Sequence, residues 1–191
     1  MSAERLEQWD ARYRAGHQVF DTPAPLVVQF AGNLAPGSAL DLAAGPGRNS
    51  MYLAGRGWCV TAVDGSPAAM QILLERAREK KLPIEAQVHD LETGEFDMPA
   101  TAFDLVLSCY YLQRSLIPGM QSALRPGGLL IMIVHLADAD QPEGTPARAY
   151  PGELPALFDG WPVLHYREGE PGECCHRHAV AELVARKPAR E

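Results

Sequence analysis

The sequence predicts an α/β fold: a doubly wound, seven-stranded sheet, mostly parallel, with one antiparallel strand near the C-terminus and helices on both faces. Three observations predict it. Short apolar runs alternate with helix-length segments from Ala39 onward. The first run, Ala39-Leu40-Asp41-Leu42-Ala43, delivers the chain into Ala44-Gly45-Pro46-Gly47, a tight turn ahead of a helix-like segment. The last two runs are joined by a loop short enough for a hairpin, so one of them must run against the sheet.

Each element follows from its residues. Leu6, Trp9 and Tyr13 share one face of an N-terminal helix, and Leu26, Val27, Phe30 and Leu34 share a face of the next. Strand one is expected near 39–43, with a helix from Gly47 to about Gly55, and strand two near 58–63. Ser66-Pro67 supplies an N-cap and a first-turn proline for a long helix that turns Met70, Leu73, Leu74 and Ala77 inward. Strand three is Ile84 to His89, strand four Phe103 to Ser108 and strand five Leu129 to His135. Between the last two lies a helical stretch that Pro118-Gly119 interrupts and Arg125-Pro126-Gly127-Gly128 closes as a turn. Residues 136–152 read as a long surface loop, Glu153 to Phe158 as a short helix, and 161–167 and 178–186 as the final strands.

Composition limits what the chain can do. Its 191 residues, 47% hydrophobic and 21% charged, suffice for one domain with a substantial core. A net charge of -7 disfavours a nucleic-acid partner, which needs a clustered positive field. The basic run Arg76-Ala77-Arg78-Glu79-Lys80-Lys81 is expected to be the solvated end of a helix. No segment approaches the ~20 apolar residues of a membrane span, and the charged Met1-to-Glu7 stretch lacks a signal-peptide core, so no membrane partner and a cytoplasmic location are expected. Four cysteines make no disulfide framework in a chain of this length; Cys59 and Cys109 are expected to be buried small hydrophobes. Cys174-Cys175-His176-Arg177-His178 has metal-ligating residue types, but adjacent cysteines cannot easily turn both sulfurs onto one tetrahedral ion. No metal site is expected there.

The glycine turn carries the chemistry. A dinucleotide fingerprint would place a third glycine where Ser50 stands, and it has no use for a carboxylate four residues before the first glycine, where Asp41 stands. A second apolar run, Cys59 to Val63, ends in Asp64, well placed to hold a ribose.

This ordered set resembles class I S-adenosylmethionine-dependent methyltransferases over almost the whole chain. Asp41 to Gly47 is similar to their first motif, Asp64 to the acidic position after it, Asp90 to the group that meets the adenine, Phe103 to Ser108 to the fourth strand, and Leu124 to Leu130 to the approach to the fifth. Trp9-Asp10-Ala11-Arg12-Tyr13, Gly47-Arg48-Asn49-Ser50 with Tyr52-Leu53-Ala54, and Val60-Thr61-Ala62-Val63-Asp64 look most like the small tellurite-resistance and thiopurine-type branch.

The resemblance implies a Rossmann-like core over 37–191 with residues 1–36 as a helical cap over the cofactor site, together a single domain. It implies S-adenosylmethionine as cofactor and S-adenosylhomocysteine as product. Asp41 would help hold the ammonium, the amides near Gly45 and Gly47 the carboxylate, and Asp64 the ribose hydroxyls. Tyr13, Ala43, Asn49, Gly65, Ser66, Asp90, Leu91 and Ser108 complete the cofactor-binding set that it implies.

The acceptor is expected beside the carboxyl ends of strands four and five, among Cys109, Tyr110, Tyr111, Gln113, Arg114 and His135 to Asp138. Arg114 is the candidate for an anionic acceptor, His135 for a base near neutral pH, and Tyr110 for a pocket wall. A small-molecule acceptor is expected, with a soft nucleophile such as a chalcogen oxyanion or a thiol as the branch suggests, in a monomer or weak homodimer. A methyltransferase on a protein or other macromolecule, and a non-catalytic cofactor-binding protein, are the alternatives. The motif that serves base amino groups is missing after strand four, where Ser108-Cys109-Tyr110-Tyr111 stands.

Overall fold

A computed structural model describes residues 3–16, 19–94, 96–137, 145–173 and 178–189. The strands form a seven-stranded sheet in the order β3-β2-β1-β4-β5-β7-β6, flanked by helices. The chain packs as two compact units, Met1–Asp97 and Met98–Glu191.

The first unit holds α1 (Ala3–Arg14), α2 (Pro25–Ala31), β1 (Ser38–Leu42), α3 (Arg48–Ala54), β2 (Cys59–Asp64), α4 (Pro67–Lys80) and β3 (Ile84–Val88). β1, β2 and β3 are parallel, with Asp41 opposite Ala62 and Leu42 opposite Val63. Covered strands of this kind read as continuous apolar runs, which is how β1 and β2 were legible. Ser66 caps α4 as expected, its hydroxyl accepting from the Ala69 amide at 3.1 Å, and Pro67 occupies the first turn. Met70, Leu73 and Ala77 of α4 are buried against Met51 and Ala62, while Leu74 is only half-buried. In α1 the expected apolar face is thin: Leu6 and Tyr13 are half-buried, Trp9 is exposed, and the buried residue is Asp10.

The second unit holds β4 (Phe103–Cys109), a 3-10 turn (Arg114–Leu116), α5 (Ile117–Ala123), β5 (Leu124–His135), α6 (Glu153–Leu157), β6 (Val163–Gly169) and β7 (Val180–Arg186). β4 and β5 are parallel, and β7 runs antiparallel to both β5 and β6, so the expected reversed strand is β7. Leu129 to Val134 are all buried, covered together with Leu105 to Leu107 and Leu183 to Ala185.

Two expectations need correction here. Pro118 and Gly119 do not interrupt a helix; they lie in the first turn of α5, where a missing amide is harmless. Arg125 to Gly128 do not precede the fifth strand but lie inside it: Phe103 pairs with Leu124 and Leu105 with Leu129, so four residues bulge out between the two registers. Gly127 sits there at φ 80°, and a side chain on Gly128 would meet Arg125 O at 2.9 Å. Beyond β5, Leu136 and Ala149 form an isolated parallel bridge and Ala149 is fully buried, so 145–149 returns into the fold rather than lying wholly on the surface.

Candidate functional site

In the first unit, the sequence between β1 and α3 makes a turn that only small residues can follow. Ala43, Gly45 and Gly47 have φ of 54°, 54° and 83°, all left-handed. At Gly47 a side chain would lie 2.2 Å from Leu73 Cδ1, so α4 can pack against the turn only because Gly47 has none. At Gly45 it would lie 3.2 Å from the Tyr13 hydroxyl.

Asp64, at the end of β2, ties the turn down. Its Oδ2 accepts from the Gly45 amide at 2.8 Å and its Oδ1 from the Ser66 amide at 2.9 Å. Burial raises its pKa, and the two amides oppose that rise. A carboxylate has about four lone-pair sites, so two amides leave acceptor capacity for a ligand.

Asp41 lies one layer deeper, only 2% exposed, and accepts the Ser50 hydroxyl at 2.6 Å. Burial pushes its pKa up to about 6, against the pull of the Ser50 hydrogen bond and of Arg48. A buried carboxylate whose ionisation is costly is suited to receive a cation.

Asn49 is buried and its Oδ1 accepts from the Ala24 amide at 2.9 Å, anchoring the start of α2. Tyr13 stacks on Trp9 with ring centroids 5.8 Å apart, and burial and then Asp64 raise its pKa. Asp90 Oδ1 accepts from the Glu92 amide at 3.0 Å, shaping the turn that presents buried Leu91.

Two contributors escaped the sequence analysis. Arg76, expected at a solvated helix end, donates from Nη1 to Pro46 O at 2.7 Å and also pairs with Asp21, so α4 holds the glycine turn by its carbonyl. Asp10 accepts the Ser66 hydroxyl at 2.6 Å and the Ala68 amide at 2.9 Å, capping α4 from α1. Burial pushes its pKa up, but Ser66, Ala68 and Arg14 outweigh it and the net direction is down. The only sequence signal was its place in the Trp9-to-Tyr13 motif.

In the second unit, Tyr110 follows β4 at φ 63°, and its amide donates to Ile133 O at 2.5 Å. Its hydroxyl donates to Glu173 Oε1 at 2.7 Å, and its ring lies 5.4 Å from that of His135. His135 in turn meets the His178 ring edge-on at 5.9 Å. Ser108 is buried and its hydroxyl donates to Tyr111 O at 3.0 Å.

Arg114 is committed within the chain. Nε and Nη2 grip the two oxygens of Glu153 at 2.5 and 2.8 Å, while Nη1 and Nη2 also reach Thr145 O at 2.9 Å and Arg148 O at 3.2 Å. Glu153, 2% exposed, also accepts from the Tyr150 amide at 3.0 Å. The pair fastens the 145–153 segment, and neither its partner nor its burial was visible in the sequence. Of the expected small buried cysteines, Cys109 is half-buried and Cys59 is exposed. Cys174, Cys175, His176 and Asp138 lie outside the described residues, among which no cluster of three metal-ligating side chains occurs. No helix among the described residues is long and apolar enough to cross a membrane.

Comparison with known proteins gives these folds and residues a context. The family model described as Tellurite resistance protein TehB matches residues 16–182. Hemagglutinin 1 of Eikenella corrodens is 30% identical over 141 residues, covering 71% of this chain and 47% of that protein. The Haemophilus influenzae (strain 10810) protein named Probable S-adenosyl-L-methionine-dependent methyltransferase TehB is 28% identical over 151 residues, 74% of this chain and 52% of its own length. The chain therefore spans about half the length of the curated relatives it matches. The crystal structure of TehB from Haemophilus influenzae shares the fold, with a TM-score of 0.76 and 24% identity over 93% of this chain and 67% of that one.

Proposed function

The chain belongs to the TehB tellurite-resistance protein family, and from that membership we propose that it is an S-adenosylmethionine-dependent methyltransferase acting on a small-molecule acceptor. The observation that supports this most is the Gly45 amide donating to Asp64 at 2.8 Å. It joins a side-chain-free turn to a carboxylate that keeps acceptor capacity.

The residues fit the cofactor on their chemistry. The turn carries no side chain at Gly45 or Gly47, where a Cβ would approach the Tyr13 hydroxyl and strike Leu73 respectively, so its backbone is kept bare for a close-lying ligand. Behind it lies a buried carboxylate, Asp41. In this proposal Asp41 faces the ammonium, backed by Ser50, with Asn49 of α3 holding the start of α2 through the Ala24 amide. The Ala43-to-Gly47 turn takes the carboxylate. Asp64 with Gly65 and Ser66 takes the ribose, Asp90 and Leu91 the adenine, and Tyr13 closes the methionine end.

Bound S-adenosylmethionine supplies a methyl carbon activated by the adjacent positive sulfur, so the protein has mainly to align the nucleophile and exclude water. In the second unit, His135 is the group we assign to proton acceptance and Tyr110 the wall of the acceptor site, fixed by Glu173. Arg114 serves from behind by holding the 145–153 segment to Glu153. A chalcogen oxyanion or a thiol is the proposed acceptor: the oxyanion needs no base, and His135 would take the proton of a thiol, whose thiolate is the nucleophile. A cytoplasmic location, and a monomer or weak homodimer without nucleic-acid partners, complete the proposal.

The test is transfer of labelled methyl from S-adenosylmethionine to tellurite, selenite, a thiol and a small amine in parallel. Turnover on tellurite, selenite or the thiol above the amine is expected. Cofactor binding without turnover on any of them would favour a non-catalytic binding protein.

A further inference from the structure

The way α1 is attached is unusual for an amphipathic helix. Its apolar side is sparse, and Asp10, only 9% exposed, is the one buried residue among its described side chains. A helix normally docks by an apolar stripe and leaves its charges in water. Here one carboxylate oxygen, Asp10 Oδ1, accepts both the Ser66 hydroxyl at 2.6 Å and the Ala68 amide at 2.9 Å. Arg14, one turn further on, pairs with the other oxygen at 2.7 Å.

The same helix reaches both turns of the candidate site. Tyr13 lies against Gly45, and Leu6 lies against Gly65, where a side chain would come within 2.7 Å of Leu6 Cδ1. Beside this line of contact runs an open cleft of about 590 Å³ bordered by Glu7, Asp10, Arg14 and Pro67. The contact between α1 and the start of α4 is therefore narrow, and Asp10 is its polar centre.

We propose that Asp10 is a positioning residue that latches α1 across the turns at Gly45 and Gly65, so that it sets how long a ligand stays in the cofactor site. This rests on the cofactor assignment made above. Asp10 is assigned no contact with the reacting atoms or with the ligand itself. It acts through Ser66, whose own amide donates to Asp64 at 2.9 Å, and through Tyr13 and Leu6 carried on the same helix. Opening of α1 breaks two hydrogen bonds to a single carboxylate and uncovers both turns together.

The experiment compares the full chain as wild type, Asp10→Ala and Asp10→Asn, using S-adenosylhomocysteine as probe. Hydrogen exchange of residues 4–14 is measured without ligand, and the probe's dissociation rate by stopped flow. Asp10→Ala is expected to speed exchange across α1 while β1 and β2 stay protected, and to raise the dissociation rate about tenfold. Asp10→Asn keeps an oxygen for Ser66 and Ala68 but loses the charge, and should fall between the two, at about threefold. A role confined to global stability would instead raise exchange in β1 and β2 as well, and would overturn the proposal. So would Asp10→Ala with α1 exchange and probe release equal to wild type. If Asp10→Ala yields no folded protein, Asp10→Asn decides: unchanged exchange and release would be equally fatal. Failure of the wild type to bind the probe would refute the cofactor assignment, and the ligand-free exchange would still judge the latch.

Discussion

The Gly45 amide and the Asp64 carboxylate, nineteen residues apart in sequence, are joined by a 2.8 Å hydrogen bond. The turn after β1 is thereby held to the end of β2, with the Ser66 amide on the other carboxylate oxygen. A charge-assisted bond of this kind contributes about 1.5–3 kcal/mol. Asp64→Ala should lower stability by about 2–3 kcal/mol in denaturant titration and abolish binding of S-adenosylmethionine. Asp64→Asn, which keeps one acceptor, should recover part of the stability and little of the binding.

Gly47 and Gly127 separate backbone strain from steric clash. Both have left-handed φ, 83° and 80°, but a side chain at Gly47 would strike Leu73, whereas Gly127 faces open space. Gly127→Ala should cost about 1–2 kcal/mol, the backbone penalty alone. Gly47→Ala adds an overpacking cost of about 1–3 kcal/mol. Equal losses for the two variants would show that Leu73 moves aside freely.

Asp41 makes stability depend on pH in a predictable direction. Its folded pKa, about 6, lies above the ordinary 3.8, so its contribution is fully present below about pH 3.8 and is lost as pH rises through 6. The loss amounts to about 3 kcal/mol. Asp41→Asn should therefore be more stable than the wild type at pH 7.5, the difference vanishing near pH 3.5. Unfolding midpoints at the two pH values check it. A ligand ammonium at Asp41 would also favour the ionised form, so binding near pH 6 should release protons, seen as buffer-dependent heats.

Arg114 and Glu153 form a bidentate pair with the carboxylate 3% exposed and the guanidinium 35% exposed. Arg114→Ala leaves that carboxylate buried without its countercharge and should cost about 3 kcal/mol or more. The double variant Arg114→Met/Glu153→Leu should be closer to wild type than Arg114→Ala, because no buried charge remains. A double variant less stable than Arg114→Ala would mean that the Tyr150 amide, which Glu153 accepts at 3.0 Å, needs that carboxylate more than its unpaired charge costs.

Local chemistry decided what could be read from the sequence. The apolar runs of β1, β2, β4 and β5 announce covered strands. The Ser66-Pro67 pair announces a helix start, and the glycines at 45 and 47 a turn with left-handed φ. The bulge inside β5 was hidden because Arg125-Pro126-Gly127-Gly128 looks the same whether it precedes a strand or loops out of one; only the Phe103–Leu124 pairing tells them apart. Arg76 on Pro46 O and Arg114 on Glu153 span 30 and 39 residues. An arginine in a helical pattern carries no local mark of such a partner. Asp10 was legible as part of a motif and illegible as a cap, because two helices and two strands separate it in sequence from the helix it caps.

Calorimetric titration of the full chain with S-adenosylmethionine and S-adenosylhomocysteine at pH 7.5 measures directly whether the turn between β1 and α3 holds the cofactor. One-site binding at about 8 kcal/mol, the micromolar range, is predicted for both ligands, and no detectable heat for Asp64→Ala. Wild-type protein that binds neither ligand, while remaining folded, would refute the assignment of Asp41, Gly45, Gly47 and Asp64 to this cofactor.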